Sequence, residues 1–204
     1  MNSQDVLVDL ATEVLACRAC EVAGYLTHAN PIRPALLDNP RIVLIGQAPG
    51  AITDRKGYHF AGPAGTFLST WLDRAGFPPG YFRSLVYLTS LTRCFPGKSV
   101  SGNGDRVPSA AEVALCRHFL NAELLAINPR LILLIGKMAI DAFLGKHPLA
   151  ETVGKIFVID GRNYLPLPHA SGVSRWLNAA DNKALLDQAI NELSRLRVEL
   201  CLAP

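Results

Sequence analysis

The chain has 204 residues, half of them hydrophobic and 18% charged, a composition that excludes a disordered or fibrous protein. At this length folding buries enough apolar surface for a core of its own, and one domain is the expectation. Twenty Lys and Arg against 17 Asp and Glu give a net charge of +3, which permits a nucleic-acid partner without arguing for one.

Residues 4–17 set Val6, Leu7, Leu10, Val14 and Leu15 at helical spacing and predict an amphipathic helix. Asp5 and Asp9, with no basic stretch before them, do not fit a signal peptide, so a cytoplasmic protein is expected. The helix delivers Cys17-Arg-Ala-Cys20, a pair whose thiolates can converge on one turn. A proline-rich irregular segment spans residues 30–40. Residues 41–46, Arg-Ile-Val-Leu-Ile-Gly, then read as a buried parallel strand. Residues 65–75 predict a helix and residues 85–89 a second strand, while residues 95–108, rich in Gly, Ser and Pro, predict a loop. Ser109 and Glu112 form a capping box that opens a helix to Ile127.

A third strand covers residues 129–136. Its apolar run is the longest in the chain and far below the roughly 20 residues of a membrane span. A helix over residues 137–144 follows directly. Residues 155–159 and 162–167 suggest a terminal strand pair turning at Gly161, and residues 182–196 an amphipathic closing helix. Strands alternating with helices predict a three-layer α/β/α domain around a central, mainly parallel four-stranded sheet. No repeat or linker divides residues 1–204, so a single domain is expected.

Ligands of such sheets bind beyond the carboxyl ends of the strands. Four segments leave strand ends here: residues 46–50 (Gly-Gln-Ala-Pro-Gly), 90–94, 136–137 and 168–171. Gly136-Lys137 lacks phosphate-loop spacing and reads as a turn. Five cysteines, at 17, 20, 94, 116 and 201, need a role other than disulfides in a cytoplasmic chain.

Taken in order, these segments resemble the uracil-DNA glycosylase superfamily, most closely its iron–sulfur family-4 enzymes. The family's first motif, GEAPG followed by G-x-P-F-x-G-x-A-G, is matched by Gly46-Gln-Ala-Pro-Gly50 and Gly57-Tyr-His-Phe-Ala-Gly62-Pro-Ala-Gly65. Its T-N-x-x-K-C-x-P is matched by Thr89-Ser-Leu-Thr-Arg-Cys94-Phe-Pro96. Its helix with the fourth cysteine is matched by Pro108-Ser-Ala-Ala-Glu112 through Cys116, and its HPS and following Arg by His169-Ala-Ser171 and Arg175. The resemblance covers nearly the whole chain.

It implies that Cys17, Cys20, Cys94 and Cys116 hold a 4Fe–4S cluster in a structural role. Zinc is the chemical rival for four cysteines, and unligated buried thiols are the third reading. Cys201 has no role. The separation of Cys94 from Cys116 is long for the family and implies an enlarged loop, where Lys98 and Arg106 are cations available to phosphates.

The implied reaction is excision of an extruded uracil from single- or double-stranded DNA by a monomeric enzyme, leaving an abasic site. Phe60 matches the aromatic rest for the base, and His169 the donor to the developing negative charge on uracil O2. Gly46 and Ala48 belong to the substrate-binding turn, Ser171 and Arg175 to the DNA-backbone contacts. Two departures matter. Gln47 and Ala48 stand where the superfamily carries a carboxylate, leaving Gln47 or the nearest carboxylate, Asp54, to place the attacking water. Ser90 replaces the Asn that reads the uracil edge, which opens the alternative of another deaminated base. Ala170 in place of Pro loosens the last motif. The missing carboxylate keeps a lesion-binding protein with little turnover open, and a small-nucleotide-binding α/β protein is the remaining reading.

Overall fold

A computed structural model of the chain describes residues 3–101, 104–170 and 175–202. Strands β1 (Ile42–Gly46), β2 (Val86–Ser90) and β3 (Leu131–Ile135) are buried along their entire length, as parallel strands covered on both faces must be. β4 (Phe157–Ile159) and β5 (Arg162–Leu167) form the expected hairpin around Gly161. The sheet order is β2-β1-β3-β5-β4, with β4 alone antiparallel. Five strands therefore replace the four expected: the first arm of the hairpin adds an antiparallel edge strand to the four parallel ones.

Nine helices surround the sheet among the described residues: α1 (Ser3–Ala16), α2 (Ala19–Val22), α3 (Ala51–Lys56), α4 (Pro63–Arg74), α5 (Tyr81–Ser84), α6 (Ala110–Ile127), α7 (Lys137–Leu144), α8 (Leu149–Thr152) and α9 (Ala180–Glu199). Alternation along β1 divides them into two layers. Ile42 and Leu44 enter a core with Leu68 and Leu72 of α4 and Ile190 and Leu193 of α9. Val43 and Ile45 face the other way, onto Leu7, Leu10 and Val14 of α1 and Phe119, Leu120 and Leu124 of α6. α6 starts where the capping box put it: Glu112 N–H donates to the Ser109 hydroxyl at 3.3 Å, and Ser109 N–H to the Glu112 carboxylate at 2.7 Å. None of the described helices is long and apolar enough to cross a membrane.

Residues 200–202 lie against the amino-terminal edge of the sheet. Arg41, just before β1, donates to the Cys201 carbonyl at 2.6 Å, and Arg130, just before β3, to the Leu200 carbonyl at 2.9 Å. Tyr81 donates to the carbonyl of Leu202, whose side chain is buried.

Candidate active site at the carboxyl edge of the sheet

The opposite edge gathers the strand ends singled out in the sequence. Gly46 and Ser90 are register partners across β1 and β2, and Leu91 N–H donates to the Gly46 carbonyl at 3.0 Å. Gly136 follows β3 directly, and its N–H donates to the Leu167 carbonyl of β5 at 2.9 Å. Gly136 has φ +82°, and a Cβ there would stand 3.2 Å from Cδ2 of His169. The glycine thus supplies both the left-handed turn and the room for the imidazole. His169 is open to solvent on its outer side. Partial burial against the strand ends lowers its pKa, so the ring is neutral at pH 7 and offers one N–H and one acceptor.

Phe60 arrives from the segment between α3 and α4. Its ring lies on Gly46: a Cβ at that position would stand 2.7 Å from Cζ. Phe60 adopts φ +53°, a left-handed conformation that a bulky residue keeps only when its surroundings enforce it. Arg83 enforces it. Its guanidinium donates to the His59 carbonyl at 2.7 Å and also to the Phe60 carbonyl, and it lies over the Tyr58 and Phe82 rings. Gly65 in α4 lets the Phe60 carbonyl pass, since a Cβ there would stand 2.0 Å from that oxygen. Neither Arg83 nor the part played by Gly65 was legible in the motif pattern, because both act on a backbone carbonyl.

His59 is fully buried beneath this turn, and burial, with the Arg93 and Arg83 charges, lowers its pKa to about 3. The unfolded chain takes up a proton here as the pH falls through about 6.5, whereas the folded protein does not. The stability this residue contributes is complete above that pH and is lost downward toward pH 3. Between pH 6.5 and 5 the loss should be on the order of 1 kcal/mol per pH unit. Urea unfolding of wild type and His59→Gln across that interval checks it: the variant should lose the larger part of the slope.

Ser90 is buried, and its hydroxyl donates to the Thr92 carbonyl at 2.7 Å, leaving its lone pairs as acceptors. Behind it Arg93 is 1% exposed and paired with the equally buried Glu123 at 2.6 Å. Arg93 also donates to the Ser90 carbonyl, and Thr89 donates to Glu123 at 2.8 Å. This buried pair ties the end of β2 to α6. Nothing in the sequence marks it, because Glu123 lies inside a helix with no motif around it.

The same segment leads into the cysteines. Cys17 follows α1 directly, Cys20 lies in α2, Cys94 follows β2 and Cys116 is in α6; Cys20, Cys94 and Cys116 are buried. Burial, and then the neighbouring Cys116, Glu112 and Cys17, push Cys20 up to about 11. Burial and the Cys116, Cys20 and Cys17 thiols push Cys94 up to about 12. Cys116 is raised by burial against the Arg93 backbone N–H and charge. The fold therefore brings all four within electrostatic reach of one another, in surroundings that resist bare thiolates. No group of three or more Cys, His, Asp or Glu side chains among the described residues has the close spacing of a single-ion site. A cubane cluster, which spreads its four thiolates over four irons, does not require that spacing. The donor set fits it. Arg106 clamps Glu112 beside this group and holds its carboxyl down to about 2.

The remaining residues are spread more widely. Gln47 and Ala48 are half-buried on the turn after β1. Asp54, in α3, accepts from the Asn30 side-chain amide at 3.0 Å, and the two line a cavity of about 570 Å³ with Tyr25, His28, Phe95 and Pro96. Phe60, Ser90 and His169 do not line that cavity. Arg175 is exposed on the short helical turn Arg175–Asn178. Ser171 lies outside the described residues. A carboxylate that the motifs did not reveal, Asp105 from the loop after Cys94, accepts from Ala51 N–H at 3.1 Å beside the first turn.

Comparison with known proteins agrees with this layout. The sequence model of the uracil DNA glycosylase superfamily matches residues 34–194. A type-4 uracil-DNA glycosylase of Thermotoga maritima is 29% identical over 98% of this chain and 93% of its own length. Another, of Archaeoglobus fulgidus, is 30% identical over 76% of this chain and 74% of its own. A third, of Sulfurisphaera tokodaii, is 26% identical over 79% and 67%. With its parallel sheet, its motif turns at the carboxyl edge and this match over most of its length, the chain belongs to the uracil DNA glycosylase superfamily.

Proposed function

We propose that the protein is a DNA repair glycosylase that excises uracil and leaves an abasic site. The observation that carries this reading is the convergence at one sheet edge of Phe60 over Gly46, Ser90 beside it and a neutral His169 over Gly136. An extruded base resting on the Phe60 ring lies against the backbone of Gly46 and Ala48. Breakage of the bond from C1′ to uracil N1 leaves the electron pair on the base, and the neutral His169 N–H donates to O2 where that charge collects. A water oxygen bonds to C1′ and its proton passes to solvent. Gln47 holds that water; Asp54, the other candidate, has its carboxylate on the Asn30 amide. A reaction through a cationic sugar asks more for a placed water than for a strong base. Ser90 accepts from the base edge, and Ser171 and Arg175 meet the DNA backbone. Cys17, Cys20, Cys94 and Cys116 hold the 4Fe–4S cluster, which supplies a covalent staple between the amino-terminal segment, the end of β2 and α6. The enzyme acts as a monomer on uracil-containing DNA.

The test is a labelled uracil oligonucleotide incubated with anaerobically purified protein and then treated with alkali. Brown protein with four irons and labile sulfide per chain, and alkali-labile breaks at uracil alone, are expected. Colourless protein with one zinc overturns the cluster. A gel shift without breaks overturns the enzyme, and breaks at hypoxanthine or xanthine but not uracil overturn the substrate.

A further inference from the structure

The loop between Cys94 and Cys116 is braced at both ends. Lys98 and Asp105 form an antiparallel bridge. Ser99 N–H donates to the Gly104 carbonyl at 3.2 Å and Arg106 N–H to the Gly97 carbonyl at 2.8 Å. One leg is fixed to the cysteine-bearing helix: the Arg106 guanidinium forks onto Glu112 of α6 with contacts of 2.7 and 2.8 Å, and its Nε donates to the Pro96 carbonyl at 2.8 Å. Such a bidentate pair fixes orientation as well as distance.

Asp105, next to that arginine, reaches in the other direction. Its Oδ1 takes the Lys98 ammonium at 2.7 Å, and its Oδ2 accepts from Ala51 N–H at 3.1 Å. A Cβ on Gly50 would stand 3.0 Å from Oδ2, so the glycine leaves the carboxylate its place. Gly50 and Ala51 close the turn that starts at Gly46 and contains Gln47 and Ala48. This turn has no carboxylate of its own, and the loop brings one to its far end.

We propose that Asp105 is a positioning residue for the first-motif turn: its carboxylate clamps the Gly50–Ala51 backbone, and the Arg106–Glu112 fork refers that clamp to the helix that carries Cys116. The proposal rests on the glycosylase reading, in which Gln47 on this turn holds the attacking water. The contacts of the Asp105 carboxylate are to Ala51 N–H and Lys98, so its part is played through the backbone. It sets where the turn stands, and small displacements of a catalytic group are costly in rate.

Two measurements on the intact protein test it. Amide hydrogen exchange between residues 47 and 56 reads the clamp without any reaction, and single-turnover excision reads its consequence. Asp105→Ala should speed exchange at Ala51 by about tenfold or more and slow excision by about tenfold, with affinity for uracil-containing DNA within about twofold. Asp105→Asn, whose amide oxygen still accepts from Ala51, should recover most of both. Unchanged exchange in Asp105→Ala overturns the clamp whatever the activity does. Faster exchange with native excision overturns the positioning role, and Asp105→Asn as impaired as Asp105→Ala overturns the backbone contact as its basis. Wild type that leaves uracil uncut overturns the glycosylase reading itself, and the exchange data then judge the clamp alone.

Discussion

His169→Ala is expected to lower the single-turnover rate of uracil excision by about 10²-fold or more, the usual scale for loss of one preorganised donor to a developing anion. Affinity for the oligonucleotide should fall far less, because phosphate contacts supply most of it. The lowered pKa of His169 adds a pH signature. The neutral ring is the working form, so the wild-type rate should hold from pH 8 down through the ordinary histidine range near 6.5 and fall only below it. His169→Ala should lose that acid limb along with the rate. A variant that excises at the native rate removes His169 from the mechanism.

Gly65→Ala is expected to be the most damaging single methyl group near the site. Gly65 is the third residue of α4, and even the full gain of a glycine-to-alanine change within a helix is only about 1 kcal/mol. Here the added Cβ would stand 2.0 Å from the Phe60 carbonyl oxygen and 2.6 Å from Arg83 Nη2. Either the helix shifts or Phe60 leaves the left-handed conformation that seats its ring on Gly46. Overpacking should win, with a net loss of about 2 kcal/mol or more and excision down at least about tenfold. Gly46→Ala makes a useful contrast, because its methyl meets only the tip of the same ring, at 2.7 Å from Cζ. It should spare the melting temperature and still reduce excision. Thermal melts beside single-turnover rates separate the two; equal effects on both quantities in both variants would contradict this assignment.

Much of this arrangement was legible in the sequence because it is periodic or terminal. Short uncharged runs such as residues 42–46 and 131–135 mark strands covered on both faces, and the Ser109–Glu112 pair marks the start of α6 to the residue. The edge strand β4 was legible as a strand and omitted from the count, since its three residues, half-buried or exposed, carry little pattern. What escaped was every feature made by contact between distant segments. Arg83 reaches the Phe60 carbonyl from 23 residues away, Arg93 finds Glu123 thirty residues on, and Asp105 meets Ala51 across 54. Asp54 shows the converse. Its place in the chain, directly after the first motif, says nothing of the Asn30 amide that holds its carboxylate.

The anchoring of the last residues by Arg41 and Arg130 has a practical corollary for handling the molecule. It sets Cys201, the most exposed of the five thiols, at the end of the strands away from Phe60, Ser90 and His169, while Cys20, Cys94 and Cys116 are buried and Cys17 is half-buried. A maleimide dye or biotin attached through Cys201 therefore leaves the edge that carries Phe60, Ser90 and His169 free for single-molecule observation or surface capture. Removing Leu200 and Cys201 would take away that handle and strip Arg130 and Arg41 of their carbonyl partners in the same step.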